Sequence, residues 1–130
     1  MIKPSVVFII DDDEDDQEFL IDALKDIDPF IKCFTASNGQ EGLKKLETNT
    51  IPTPSIIFLD LNMPRINGRQ VLAKLKKDAA FKVIPVIIYT TSSSQKDMDE
   101  LKALGAIDYL VKQSDDAVLK EQLIKIIQYE

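Results

Sequence analysis

At 130 residues, 45% hydrophobic and 29% charged, the chain is long enough to bury one substantial core and has the balance of an ordinary globular domain. Its net charge of -6 argues against non-specific binding to nucleic acid or to an anionic membrane, both of which favour basic surfaces. With no histidine and one cysteine, Cys33, it carries no intramolecular disulfide framework, no Cys/His zinc site and no Ser-His or Cys-His catalytic pair.

Five strand-helix alternations run along the chain. Val6 to Ile10 is a continuous apolar run, as in a strand buried on both faces. Phe19, Leu20, Ala23, Leu24 and Ile27 then recur at helical spacing, and Asp28-Pro29 stops that helix. Ile31 to Ala36 reads as a second strand, with Cys33 a buried, inert thiol. Ser37-Asn38-Gly39 leads into a helix carrying Leu43 and Leu46, and Thr48 to Pro54 is a polar loop. The third strand is Ser55 to Asp60; past the Asn-Met-Pro loop, Val71, Leu72 and Leu75 lie on a helix that fades near Asp78. Pro85 opens a fourth strand through Tyr89, and Ser92-Ser93-Ser94 supplies N-cap hydroxyls for a helix closed by Gly105. Ile107 to Val111 is the fifth strand, and Ser114 or Asp115 caps a last helix bearing Leu119, Leu123, Ile126 and Ile127.

Strands alternating with helices at this spacing imply right-handed βαβ units and a parallel sheet covered on both faces. The expected architecture is one α/β domain spanning residues 1–130, a flavodoxin-like doubly wound sheet of order 2-1-3-4-5 with five helices and no effector domain. No apolar stretch approaches the length of a membrane span. The lead-in Met1-Ile2-Lys3-Pro4 lacks the apolar run and cleavage site of a secretory signal, so a cytoplasmic protein is expected.

In this topology the ends of strands one, three, four and five meet in one crevice, the place where open α/β sheets bind ligands. Those ends hold Asp11-Asp12, Asp60, Thr90-Thr91 and Lys112. At an effective dielectric of about 20, one like-charge pair about 4 Å apart costs on the order of 4 kcal/mol, so three clustered carboxylates need more than Lys112 to offset them. Oxygen ligands suit a hard divalent cation, and an exposed, partly hydrated Mg2+ site is expected. With the cation and Lys112 holding two phosphoryl oxygens, Asp60 is placed to attack phosphorus, and Thr90 to donate to a third oxygen only in the phosphorylated state.

These residues, in this order, resemble a response-regulator receiver domain from the first strand to the last helix. The family's acidic pair corresponds to Asp11 and Asp12, its acceptor to Asp60, and its Met-Pro-x-x-x-Gly loop to Met63, Pro64 and Gly68. Its Thr/Ser falls on Thr90, thirty residues after the acceptor; its lysine on Lys112, twenty-two further on; and its aromatic switch residue on Tyr109. The Asp60-Leu61-Asn62-Met63-Pro64 form is similar to single-domain regulators that partner phytochrome-like kinases. The resemblance implies Mg2+ bound by Asp12, Asp60 and the main-chain carbonyl of Asn62, with Asp11 acting through water. It also implies phosphoryl transfer from a sensor histidine kinase or phosphotransfer protein, an altered face toward an unknown downstream protein and slow autodephosphorylation, while the acidic charge leaves no nucleic-acid or membrane partner expected.

Two positions depart from the family pattern. Gln113 follows Lys112 where proline in a cis peptide is usual; a non-proline cis bond costs about 2.5–4 kcal/mol, so a trans bond and a displaced loop are expected. Thr91 is larger than the usual alanine or glycine and is expected to narrow access to Asp60. Other residues read more simply. Glu14, Asp15 and Asp16 favour a helix N-terminus and face solvent; Gly68 and Gly105 are turn or cap glycines; Lys74, Lys76, Lys77 and Lys82 form a solvated face. Three other functions compete. A phosphohydrolase resembling haloacid dehalogenases needs an acid where Asn62 stands, and a flavin carrier needs a phosphate loop where Asp11 to Glu14 stand. The third is a pseudo-receiver that binds partners without phosphorylation, against which the intact acidic set argues.

Overall fold

The computed structural model describes residues 4–127; the lead-in Met1-Ile2-Lys3 lies outside them. The elements in chain order are β1 (Val6–Ile10), α1 (Glu14–Ile27), β2 (Lys32–Ala36), α2 (Gly39–Glu47), β3 (Ile56–Leu59), α3 (Gly68–Lys77), β4 (Val86–Thr90), α4 (Gln95–Ala103), β5 (Asp108–Val111) and α5 (Asp116–Ile126). All strands pair in parallel in the order β2-β1-β3-β4-β5, the expected doubly wound arrangement. Ile31, Ser55, Asp60 and Ile107, expected as strand ends, each fall one residue outside the observed strands. Ile31 is held in a turn by its amide bond to Asp28 O, at 3.2 Å.

Each helix begins on a side chain that accepts otherwise unpaired backbone N–H groups: Asp13, Asn38, Asn67, Ser94 and Asp115. Asn67 and Gln70 form a reciprocal capping box, which fixes the entry to α3.

Period-two alternation along the strands divides the core into two layers. Val7, Ile9, Ile56, Phe58, Ile87 and Tyr89 pack with α1 and α5 through Leu20, Leu24, Leu119 and Leu123. Phe8, Ile10, Ile57, Leu59, Val86 and Ile88 pack on the other face with Leu46, Val71, Leu72 and Leu101 from α2, α3 and α4. On α1 the buried phase runs Gln17, Leu20, Ala23, Leu24, while Phe19 is only half-buried. The Gln17 amide donates to Asp11 O at 2.7 Å and Ala36 O at 3.3 Å, tying the ends of β1 and β2 to the helix. Lys76 is likewise not a solvated lysine, because its ammonium donates to Lys82 O at 3.1 Å and Ile84 O at 3.2 Å.

Gly105 follows α4 with φ +114, as a terminal glycine should. Gly68 plays a different part from the one expected. It opens α3 where the helix meets the backbone behind Asp60, and a Cβ there would lie 2.4 Å from Asp60 O and 2.8 Å from Leu61 Cα. Both obstacles are main chain, so neither can rotate away. Gly68→Ala is therefore expected to destabilise the protein by about 1–3 kcal/mol through overpacking. Urea unfolding of the variant beside wild type measures this.

Candidate functional site

Four strands end in polar residues at one edge of the sheet. Asp11 follows β1, Asp60 follows β3, Lys112 follows β5, and Thr90 is the last residue of β4. The backbone continues the ladder past the strands, with Asp11 N donating to Ala36 O and Asp60 N to Ile10 O, both at 3.0 Å. The carboxylates are thereby fixed in place while almost wholly buried: Asp11 is 1% exposed and Asp60 5%. Asp12 is exposed beside them, and oxygens of Asp11, Asp12 and Asp60 lie within 4.8 Å of one another.

Lys112 reaches this cluster although Gln113 follows it; the described peptide bonds, this one included, are trans. Its ammonium stands 2.8 Å from Asp11 Oδ2, 2.8 Å from Asp16 Oδ2 and 3.7 Å from Asp60 Oδ2. It also sits 5.5 Å from the centre of the Tyr89 ring, within range of a cation–π attraction. The Gln113 amide turns away and donates to Gln122 Oε1 at 3.1 Å. Asp16 thus faces the lysine rather than solvent alone, a correction to the reading of the acidic block.

Burial dominates the electrostatics. Loss of water pushes the Asp60 carboxyl from an ordinary 3.8 up to about 6; Lys112 opposes the rise, Asp11 adds to it, the Asn62 backbone amide opposes it and Asp12 adds slightly. Asp11 is raised by the same desolvation, against the pull of Lys112 and the Asp13 amide. Burial disfavours the charge on Lys112, yet Asp11 and Asp16 overcome it and hold the ammonium above its ordinary range. Tyr89, raised first by burial and then by Asp16, is pushed up to about 12 and stays neutral.

Thr90 and Tyr109 lie on the other side of the sheet edge. By strand alternation Thr90 shares the face of Ile88, which pairs with Tyr109. Thr90 is fully buried and its hydroxyl has no hydrogen-bond partner. Tyr109 is buried, and its hydroxyl donates to Ser92 O at 2.9 Å. The Ser92 hydroxyl in turn donates to Asp97 Oδ2 at 2.6 Å, and Arg69 clasps Asp97 and Glu100. These bonds link the loop after Thr90 to the N-terminal turns of α3 and α4; strand periodicity carries no sign of them. Asn62 is exposed two residues past Asp60, between the buried side chains of Leu61 and Met63.

The donor set fits a hard divalent cation. Three carboxylates converge, two of them desolvated, and no described histidine or cysteine is among them. In the metal-free protein, the raised value of Asp60 has a consequence for stability. A carboxyl whose folded value of about 6 exceeds its unfolded 3.8 favours folding at low pH and loses that contribution as pH rises through about 6. Asp60→Asn is therefore expected to raise the unfolding free energy at pH 7 by about 1–3 kcal/mol. The gain should shrink below about pH 6 and vanish near pH 4, as urea titrations across that range would show.

Comparison with known proteins agrees with the geometry. Residues 7–124 match the family described as the response regulator receiver domain. The response regulator Rcp1 of Synechocystis is 31% identical over 129 residues, 96% of this chain and 85% of that protein. Among solved structures, the Mn(2+)-bound form of Rcp1 superposes with a TM-score of 0.84 at 28% identity, covering 97% of this chain and 94% of the other. The phosphorylated cyanobacterial phytochrome response regulator RcpA also gives 0.84 at 28% identity, covering 94% and 90%. The chain belongs to the response regulator receiver domain family of two-component, phosphorylation-based signalling.

Proposed function

We propose that Asp60 accepts a phosphoryl group, in a Mg2+-dependent reaction, from the phosphohistidine of a sensor histidine kinase or phosphotransfer protein. The observation that carries this reading is a buried carboxylate at a strand end, with an ammonium 3.7 Å away and two further carboxylates within 4.8 Å. With its value at about 6, Asp60 is mostly ionised at neutral pH and able to act as a nucleophile. One Asp60 oxygen forms a bond to phosphorus as the donor's N–P bond breaks, and the imidazole leaves with the electron pair and takes up a proton.

Asp12, Asp60 and the main-chain carbonyl of Asn62 would hold Mg2+, with Asp11 acting through water. Bound there, the cation would neutralise charge on the cluster and on the phosphoryl oxygens. Lys112 supplies the second positive charge, and the Thr90 hydroxyl, unpartnered in this state, supplies a donor for a phosphoryl oxygen. Rcp1 solved with Mn(2+) and RcpA solved phosphorylated support both parts of the reading, and RcpA, a cyanobacterial phytochrome response regulator, points to a phytochrome-like kinase as the donor. Asn62 in place of a second acid disfavours turnover of general phosphate esters. The product is read as a signal: the bond gained by Thr90 shifts its loop, and Tyr109 carries the change to the face of α4, β5 and α5.

Intact mass after incubation with a small phosphodonor tests the acceptor. Wild type in Mg2+ should gain one phosphoryl group, whereas Asp60→Asn, or wild type in chelator, should gain none. Failure of wild type to gain mass from either a small donor or a histidine kinase rejects the reading. For the switch, Thr90→Ala should cost the unphosphorylated protein no more than about 1 kcal/mol, for its lost buried methyl, because its hydroxyl has no partner to lose. Wild type should gain melting temperature on phosphorylation, and Thr90→Ala should gain at most half as much.

A further inference from the structure

Asp16 is the third residue of α1 and stands outside the group of carboxylates whose oxygens converge on one point. Its backbone N–H is already satisfied by Asp13 Oδ1, at 3.1 Å. Its own carboxylate is turned to Lys112, accepting from the ammonium at 2.8 Å, as near as Asp11 and nearer than Asp60 at 3.7 Å. The Lys112 side chain is 9% exposed, so water screens its charge poorly, whereas that of Asp16 is 36% exposed and can hold its charge in contact with solvent.

An unscreened ammonium beside Asp11 and Asp60 opposes the binding of any cation by the same carboxylates. The proposed phosphoryl chemistry nevertheless needs both charges there. Asp16 resolves the conflict. Its negative charge, in contact with the ammonium, offsets part of the lysine's charge at the cluster, and its position draws the amine toward α1 without removing it from reach of Asp60.

We propose that Asp16 is a positioning residue that holds Lys112 against α1 and offsets its charge, so that Asp11, Asp12 and Asp60 retain affinity for a divalent cation. This rests on the reading of the cluster as the Mg2+ site of a phosphoacceptor. It differs from a dipole effect of an acid in the first turn, because it acts through one partner. Asp15, exposed on the same turn, supplies the comparison: it carries the same charge, but the carboxylate partners of the ammonium are Asp11, Asp16 and Asp60.

Calorimetric titration with Mg2+ and with Mn2+ tests the proposal on wild type, Asp16→Asn, Asp16→Glu, Asp15→Asn, Lys112→Met and the Asp16→Asn/Lys112→Met double variant. Asp16→Asn is expected to raise Kd roughly three- to tenfold, the size of effect one neighbouring charge exerts at this range. Asp16→Glu should restore most of the affinity, and Asp15→Asn should change Kd about twofold or less. In the Lys112→Met background, Asp16→Asn should have little effect. In phosphoryl uptake, Asp16→Asn should need more Mg2+ for half-maximal rate while reaching the wild-type maximum. Unchanged Kd in Asp16→Asn, an equal loss in Asp15→Asn, or a loss that persists without Lys112 overturns this role and leaves the metal site standing. Absence of divalent-cation binding in wild type overturns the site itself.

Discussion

Desolvation of Asp11 and Asp60 is the constraint on which the sheet edge depends. Burying one ionised carboxylate is unfavourable unless it is paired, and burying two side by side adds repulsion. The fold meets the cost with the Lys112 ammonium, set against a neutral tyrosine ring and between carboxylates from a strand end and a helix. The compensation is incomplete, as the raised value of Asp60 records. The remaining repulsion favours positive charge supplied from outside.

The residues of the cluster were legible because strand ends are legible. A run of apolar residues closing on Asp, Thr or Lys identifies both the strand and the group it presents, and parallel topology places such ends together. Asp11, Asp60, Thr90 and Lys112 are all of this kind. Asp16 is not. Its partner is 96 residues away, and which acid of the block Asp11 to Glu18 meets that partner depends on how α1 is rotated about its axis. A signal for that rotation exists, since Gln17 falls in phase with Leu20 and Leu24, but a polar residue in the apolar phase misleads until its two carbonyl acceptors are seen. Gly68 was opaque for a related reason: its role is set by the close return of the 61–67 loop on the backbone of Asp60, and no composition rule encodes a close approach.

The links among Tyr109, Ser92, Asp97, Glu100 and Arg69 were equally beyond pattern reading, because they join side chains from four separate segments. Their location matters more than their number. They gather where the loop after β4 meets the N-terminal turns of α3 and α4, so that loop is tied to two helices at once. Surface ion pairs contribute little to stability singly, but a bidentate guanidinium spanning two helices restricts their relative motion.

The alternation of side chains along β4 and β5 has a consequence for how such a domain can diversify. Asp11, Asp60 and Lys112 fall on the register of the α1 and α5 layer, while Thr90 and Tyr109 fall on that of the α4 layer. Under the proposed function the sheet is thus a partition, with the acceptor, the cation ligands and the lysine on one side and the switch pair on the other, and Thr90 reaches the acceptor at the edge where the two meet. On that reading, substitutions around Tyr109 and on α4 can change what recognises the domain while leaving the α1-side surroundings of Asp60 intact, and the converse holds for the α1 layer. A lineage carrying this fold can therefore acquire new listeners and new speakers independently, one face at a time.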